Sequence, residues 1–334
     1  MIRVAINGFG RIGRLAFRQI VTGTDFDIVA INDLSSAEDL AYLVKYDTVH
    51  RTFHENEITF AGDEIVVAGK KRIKVFSESD PINLPWKELD IDLVIECTGK
   101  FTKLEDAQKH IEAGAKKVLI SAPGKGDMKT IVYGVNDSII DGSEKIVSAA
   151  SCTTNCLAPV LNILEKNIGI KKGFMTTIHA YTNDQATLDI SHKKGINSRR
   201  GRACAENIIP ASTGAASAIG LVIPELKGKL DGMAFRVPTP DGSVVDLTLE
   251  VKRKTSIEEI NKLFQDNQND TIKFTMDPIV SSDILGKKVG SLVDGLLTSI
   301  VEEDNTQLVK VVAWYDNEYG YTAQMLRTAK ELFR

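Results

Sequence analysis

Cysteine and proline are scarce in this 334-residue chain, and neither sign of charge dominates it. Its 4 cysteines are too few for a disulfide framework over that length, and Cys152 and Cys156 lack a second pair at zinc-site spacing. No metal centre is expected. With 9 prolines, 43% hydrophobic and 26% charged residues, the composition excludes disorder and low complexity. A net charge of -4 removes any long-range attraction to nucleic acid or an anionic membrane, so an anion site must be local. No segment approaches the roughly 18 uncharged apolar residues of a membrane span. The apolar opening is broken at Asn7 and Gly8, too early for a signal peptide. A cytoplasmic protein is expected, with two domains at about 150 residues each.

The pattern present in the first half is alternation of short β-rich runs with helical periodicity, the mark of a parallel sheet covered by crossover helices. Strands are expected at 3–7, 27–32, 92–96, 117–121 and 145–149. Helices are expected where Ile12, Leu15, Ala16, Phe17 and Ile20 share a face, and over 104–113. Beyond Ala150 the pattern changes to a helix over 153–167, a strand over 174–179 and a long basic loop through Ala205. Val245, Leu247, Leu249 and Val251 alternate with polar residues, as in an antiparallel strand with one wet face. A helix over 323–333 is positioned to return to the first domain.

Gly8, Gly10 and Gly13 form G-x-G-x-x-G between a strand and a helix, with Asp33 twenty positions beyond at the end of the next strand. Such glycines let the backbone approach a pyrophosphate at a helix start, while the carboxylate accepts from ribose hydroxyls and repels a 2'-phosphate. NAD is the cofactor expected; an ordinary strand-helix turn with Asp33 capping a loop is the bland alternative. The N-terminal domain is therefore read as Rossmann-type: doubly wound α/β with a parallel sheet. An α+β catalytic domain with a mostly antiparallel sheet follows it.

Ser151-Cys-Thr-Thr-Asn-Cys156 sits at a strand-to-helix junction, where free N-H groups favour a thiolate. Cys152 is the nucleophile candidate, whereas Cys97, Cys156 and Cys204 read as small packing residues. Pro159 should kink the helix and has no evident compensation. His179 ends an apolar strand, whereas His50, His54, His110 and His192 lie in charged segments that read as wet. His179 is thus the natural partner for the thiol, although nothing local proves that they meet. Lys193, Lys194, Arg199, Arg200 and Arg202 form either a solvated loop face or, with Arg236, an anion pocket.

These residues resemble the phosphorylating glyceraldehyde-3-phosphate dehydrogenase family from end to end. The likeness rests on Asn-Gly-Phe-Gly-Arg-Ile-Gly-Arg14, Ser-Cys-Thr-Thr-Asn-Cys156, His-Ala-Tyr-Thr-Asn-Asp-Gln185, Ile-Ile-Pro-Ala-Ser-Thr-Gly-Ala-Ala216 and Trp-Tyr-Asp-Asn-Glu-Tyr-Gly-Tyr321. It implies an NAD-binding domain over 1–150, completed by a C-terminal helix at about 317–334, and a catalytic domain over 151–316. It further implies Cys152 as catalytic thiol and His179 as its base. Gly8, Gly10, Arg11, Ile12, Gly13, Asp33, Thr98, Gly99, Ser121, Asn317 and Tyr321 would hold NAD. Thr182 and Arg236 would hold the phosphate of glyceraldehyde 3-phosphate, with Ser151, Thr153, Thr213, Gly214 and Arg200 around inorganic phosphate. The implied reaction is oxidation to an acyl phosphate through a cysteine thioester, in a homotetramer whose basic loop lines a neighbour's NAD pocket, with no membrane and no nucleic acid required. Erythrose-4-phosphate dehydrogenase activity and a secondary RNA- or surface-binding role are the alternatives. Ser79 departs from the Arg that many relatives carry beside the adenine, Cys97 and Lys100 replace the commoner Ser and Arg, and Ser191 stands where NAD-specific relatives usually carry Pro.

Overall fold

The apolar run at the start of the chain forms β1 (Ile2–Asn7), and its last four residues are buried on both faces, as a central parallel strand requires. The computed structural model describes all 334 residues in two compact units. One unit comprises Met1–Ile131, Asp137–Ala150 and Met325–Arg334; the other comprises Val132–Asn136 and Ser151–Gln324. No helix is long and apolar enough to cross a membrane.

In the first unit β1 is followed by α1 (Arg11–Val21), β2 (Phe26–Asn32) and α2 (Ala37–Lys45). Next come β3 (Ile58–Ala61), β4 (Glu64–Val67), β5 (Lys71–Phe76), β6 (Leu93–Glu96), α3 (Leu104–Glu112), β7 (Lys117–Ile120) and β8 (Ile146–Ser148). They build one sheet in the order β3-β4-β5-β2-β1-β6-β7-β8. Strand pairing is parallel from β5 to β8, and only the outer β3 and β4 run antiparallel to their neighbours. The order reverses at β1, so a crevice opens between the C-terminal ends of β1, β2 and β6, where doubly wound sheets bind ligands. Leu15, Ala16, Phe17 and Ile20 of α1 are buried as their spacing predicts. Met325, Leu326, Ala329 and Leu332 join the same core.

The second unit begins with α4 (Cys152–Asn167) and β9 (Ile170–Ala180), followed by the irregular segment 181–208, which holds a single helical turn at Ile196–Ser198. Then come β10 (Ile209–Ser212), α5 (Ala215–Val222), β11 (Leu230–Val237), β12 (Ser243–Val251), α6 (Ile257–Asp266), β13 (Ile272–Thr275), β14 (Ser291–Asp294), β15 (Ser299–Glu303), β16 (Thr306–Tyr315) and α7 (Tyr319–Glu331). The sheet order is β10-β11-β9-β12-β16-β14-β13, with β15 paired to β16. It is mostly antiparallel; only β9–β11 and β13–β14 are parallel pairs. Along β12, buried and half-buried residues alternate without exception, the period-two pattern of a sheet with one wet face.

Pro159 lies in the interior of α4 without ending it. It deprives the Asn155 carbonyl of its helical donor. A Cβ at Gly290 would come 2.9 Å from that carbonyl oxygen, so glycine lets the residue before β14 lie close against the helix.

Candidate active site

The crevice of the first unit is built by glycines with different tasks. Gly8 has φ +88°, and a Cβ there would lie 2.7 Å from the Thr98 nitrogen; at Gly13 a Cβ would lie 2.2 Å from the Gly8 carbonyl oxygen. Both are glycine because the turn and helix α1 pack this closely. Gly10 faces open space instead and precedes α1 without any side-chain cap, so the free N-H groups of the helix start remain available to an anion. Asp33 accepts from the Phe9 N-H at 2.8 Å and the Ser35 N-H at 3.0 Å, which ties the end of β2 to the glycine turn. Gly8, Gly10, Asp33, Ser79, Thr98 and Lys100 are among the residues lining a cavity of about 300 Å³. Gly99 follows Thr98 at φ +68°. The donors, the open glycine and the carboxylate fit a dinucleotide.

Three expected cofactor residues are otherwise engaged. The Arg11 guanidinium forms an ion pair with Asp47, whose pKa stays at about 2 because bonds from Arg11 and the His50 and Val49 amides outweigh burial. Ile12 packs on the core. Ser121, half-buried at the end of β7, hydrogen-bonds to the Cys97 thiol, which burial pushes up to about 12.

His110 is a correction. It is fully buried on α3 rather than wet, because both ring nitrogens find partners: Nδ1 accepts from Trp86 Nε1 at 3.0 Å, and Nε2 lies 3.1 Å from Glu96 Oε2. Glu96 also accepts from Asn7 Nδ2 at 2.5 Å and the Thr98 N-H at 2.7 Å, so this buried network holds the crevice floor. Cys97 and Cys204 are only half-buried, whereas Cys156 is a core residue as expected.

In the second unit Cys152 is the first residue of α4. Ser151 caps the helix, its hydroxyl accepting from the Thr154 N-H at 3.1 Å, and Ala150 before it sits at φ +58°, a sharp turn for a non-glycine residue. His179 lies near the end of β9, and its Nε2 is 3.4 Å from Cys152 Sγ. The Tyr315 ring meets the imidazole edge-on at 5.8 Å between centroids. Its hydroxyl bridges Thr153 Oγ1 at 3.0 Å and Thr177 Oγ1 at 2.8 Å. This tyrosine and both of its threonine partners are buried, and the polar triangle fixes the strand and helix that carry the thiol and the ring.

Parallel pairing sets Arg236 of β11 directly opposite His179 of β9. Its Nη1 lies 2.7 Å from His179 Nδ1 and 2.9 Å from the Ala180 carbonyl, while its Nε is buried without a partner. Burial, and next the charge of Arg236, push His179 down to about 3; burial also pushes the Cys152 thiol up, against the pull of Arg236. Burial thus disfavours charge on both members of the pair.

The other anion-site candidates divide. Thr182 donates to Asp184 Oδ1 at 2.5 Å, and Arg200 forms an ion pair with the same carboxylate. Although burial opposes it, the bond from Thr182 and the charge of Arg200 hold Asp184 below its ordinary range. Of the basic stretch, Arg200 is turned inward, Arg202 pairs with Asp189, and Lys193, Lys194 and Arg199 are exposed. Thr213 accepts from the Ala215 N-H at 3.2 Å beside Gly214, the residue before α5, which packs on α4. Asn317 Oδ1 accepts from Ser243 Oγ at 2.6 Å, and Ser243 Oγ accepts from the Ala180 N-H at 3.1 Å, linking Asn317 to the end of β9. Tyr321 is buried in α7. Asp184, Tyr315 and Ser243 escaped the sequence reading, although Asp184 and Tyr315 lie inside the quoted motifs; only the fold reveals their partners.

The family model described as "Glyceraldehyde 3-phosphate dehydrogenase, NAD binding domain" matches residues 2–104, and the one described as "Glyceraldehyde 3-phosphate dehydrogenase, C-terminal domain" matches 151–317. The chain is 57% identical over 328 residues to a glyceraldehyde-3-phosphate dehydrogenase of Clostridium pasteurianum, covering 98% of this chain and 97% of that one. It is 55% identical over 328 residues to the enzyme of that name from Clostridium acetobutylicum, with the same coverage. A Streptococcus pyogenes protein of that name is 52% identical over 330 residues, again covering 98% and 97%.

Proposed function

The chain belongs to the glyceraldehyde 3-phosphate dehydrogenase family, and from that premise we propose that Cys152 and His179 carry out its chemistry as nucleophile and base. The protein is an NAD-dependent aldehyde oxidoreductase of glycolysis that acts on glyceraldehyde 3-phosphate. Bound NAD supplies the hydride acceptor. Gly8, Gly10 and Gly13 would let the backbone reach the pyrophosphate, Asp33 would accept from the ribose, and Thr98, Gly99 and Ser121 would complete the cofactor site. Asn317 and Tyr321 serve the nicotinamide end.

Cys152 sulfur forms a bond to the aldehyde carbon, and the carbonyl oxygen becomes a hydroxyl. His179 Nε2 then takes that hydroxyl proton as the hydride leaves the carbon, which gives a thioester on Cys152. An oxygen of inorganic phosphate attacks the thioester carbon, the C-S bond breaks, and an acyl phosphate leaves. The observation that carries this reading is the 3.4 Å approach of Cys152 Sγ to His179 Nε2, with Arg236 beside them as a cation whose Nε has no partner.

The anion-binding residues divide into two sets. Thr182 and Arg236 take the phosphate of the aldehyde, while Ser151, Thr153, Thr213, Gly214 and Arg200 surround the attacking phosphate. Substrate anions then compete with Asp184 for Thr182 and Arg200. A homotetramer is part of the same reading, supported by the exposed apolar side chains of Leu188, Ile190 and Ile196 along 181–208.

The test follows NADH absorbance with glyceraldehyde 3-phosphate, erythrose 4-phosphate and unphosphorylated glyceraldehyde, each with and without inorganic phosphate. Fastest turnover of glyceraldehyde 3-phosphate, dependent on phosphate and absent in Cys152→Ser, is expected. Phosphate-independent oxidation of erythrose 4-phosphate as the main activity would overturn the phosphorylating assignment. Substantial turnover by Cys152→Ser would overturn the thiol.

A further inference from the structure

One wall of the crevice in the first unit is exposed and has little to hold it. Glu78 and Ser79 line the cavity and stand in solvent, between the end of β5 and Pro81. From Ser77 to Ser79 the chain makes just two hydrogen bonds to the rest of the protein, and both go to one buried side chain. Asn32, the last residue of β2, accepts from the Glu78 N-H with Oδ1 at 2.8 Å and donates with Nδ2 to the Glu78 carbonyl at 2.9 Å. Its amide grips the backbone of that residue from both sides, as a neighbouring strand would.

The same orientation of Asn32 is dictated from the interior. Trp86 Nε1 can only donate, so His110 Nδ1, 3.0 Å away, is a bare acceptor and the ring proton lies on Nε2, toward Glu96. Glu96 then accepts at both oxygens. His110 Nε2 and Asn7 Nδ2 converge on Oε2, 3.4 Å from each other, while the Thr98 N-H and hydroxyl converge on Oε1. An acceptor at Glu96 turns Asn7 Nδ2 toward it and leaves Asn7 Oδ1 for Asn32 Nδ2, 2.7 Å away. Asn32 Oδ1 is thereby aimed at the Glu78 N-H. The two ends of the relay agree, and turning either amide over would set oxygen against oxygen or N-H against N-H in a buried place.

We propose that Asn32 is a positioning residue for the adenosine end of NAD, acting by fixing the Glu78 and Ser79 wall, and that Glu96 sets its orientation through Asn7. The inference rests on the reading of this crevice as the cofactor's. Ser79 offers only a short side chain at this wall, so the placement of the main chain decides the fit. A wall that is fixed before the cofactor arrives need not be ordered on binding, and affinity gains by that difference.

Calorimetry of the full-length protein with NAD, and with ADP-ribose, which lacks the nicotinamide, tests the proposal. Asn32→Asp keeps the bond from the Glu78 N-H but sets oxygen against the Asn7 and Glu78 oxygens, and Asn32→Ala removes the amide. Both variants should bind about 10-fold or more weakly, by the same factor for the two ligands, because the wall meets the part that they share. Asn7→Asp alone brings two carboxylates together, and Glu96→Gln alone brings two amide N-H groups together, so each should weaken binding. Combined, these two substitutions restore one carboxylate and one amide to the pair, and affinity should return to within about threefold of wild type. A purely structural role would lower melting temperatures without this pattern of loss and rescue. In the free wild type, the Glu78 amide should exchange its hydrogen about 10-fold or more slowly than the unpartnered amides of Ser77 and Ser79, a measurement that needs no variant. Unprotected exchange at Glu78, wild-type affinity in the Asn32 variants, a loss confined to NAD, or a combined variant as weak as its parents would overturn the proposal. A wild type that binds neither ligand would overturn the cofactor reading of the crevice, and the proposal with it.

Discussion

Burial disfavours charge on Cys152 and His179, and for the ring it leaves a signature in stability. The His179 pKa is about 3 in the folded protein against 6.5 for the ordinary ring, so between these values the unfolded chain binds a proton that the folded one does not. Stability therefore falls as pH drops below the unfolded value. At about 1.4 kcal/mol per pH unit, wild type should lose roughly 2 kcal/mol more than His179→Asn between pH 7 and pH 5. Urea unfolding of both proteins at the two pH values measures the difference, and parallel losses would mean that the ring is not held neutral. The same substitution should slow turnover by ~10²- to 10⁴-fold, the usual cost of a lost general base. Arg236→Ala makes a sharper test of substrate class. A charge-assisted bond is worth ~1.5 to 3 kcal/mol, so kcat/KM for glyceraldehyde 3-phosphate should fall by roughly one to two powers of ten. Unphosphorylated glyceraldehyde should not slow, and equal losses on both aldehydes would show general damage to the site.

Elements were legible where one periodicity ran unbroken, and β1, α1 and β2 show why. Leu15, Ala16, Phe17 and Ile20 describe a single helical face, and the glycines mark where strand becomes helix. The segment of β3 to β5 carries no such signal, because Glu64, Lys71, Arg72 and Lys74 break its apolar runs on short strands with a wet face. His110 fails for a different reason: its neighbours in sequence are charged, and its partners Trp86 and Glu96 arrive from other elements. The Cys152 to His179 contact was likewise invisible to spacing, and family resemblance supplied it. The glycine turn yields a prediction at this scale, since its members do different work. Gly13→Ala would drive a Cβ to 2.2 Å from the Gly8 oxygen, an overpacking that costs ~1 to 3 kcal/mol, and its melting temperature should drop. Gly10 has φ -72° and open space around it. Gly10→Ala should melt like wild type yet bind NAD more weakly, because only the approach of the pyrophosphate is obstructed. Equal melting of the two variants in calorimetry would refute this division.

At the scale of the whole molecule, a chain with a net charge of -4 nevertheless leaves large apolar side chains in water. Leu188 is 74% exposed, Ile190 64% and Ile196 91%, all on the one irregular segment that follows β9, and Ile208 at its end is 68% exposed. Isolated exposed leucines need no explanation, but several along one segment, whose basic residues are partly paired by Asp184 and Asp189, support the proposed assembly. Symmetry favours a second copy of the same chain, since closed homo-oligomers present the same patch from each subunit. Each side chain of this kind stabilises an interface by ~1.5 to 3 kcal/mol when fully buried, so two charges in their place should disrupt it. Wild type should sediment as a tetramer at micromolar concentration, and the double variant Leu188→Asp with Ile196→Asp should sediment as a smaller species with an unchanged far-ultraviolet spectrum. If the basic loop also lines a neighbour's NAD pocket, the dissociated variant should bind NAD more weakly than the tetramer. A wild type that sediments as a monomer, or a variant that keeps the wild-type mass, would remove assembly from the reading and leave these side chains as plain surface.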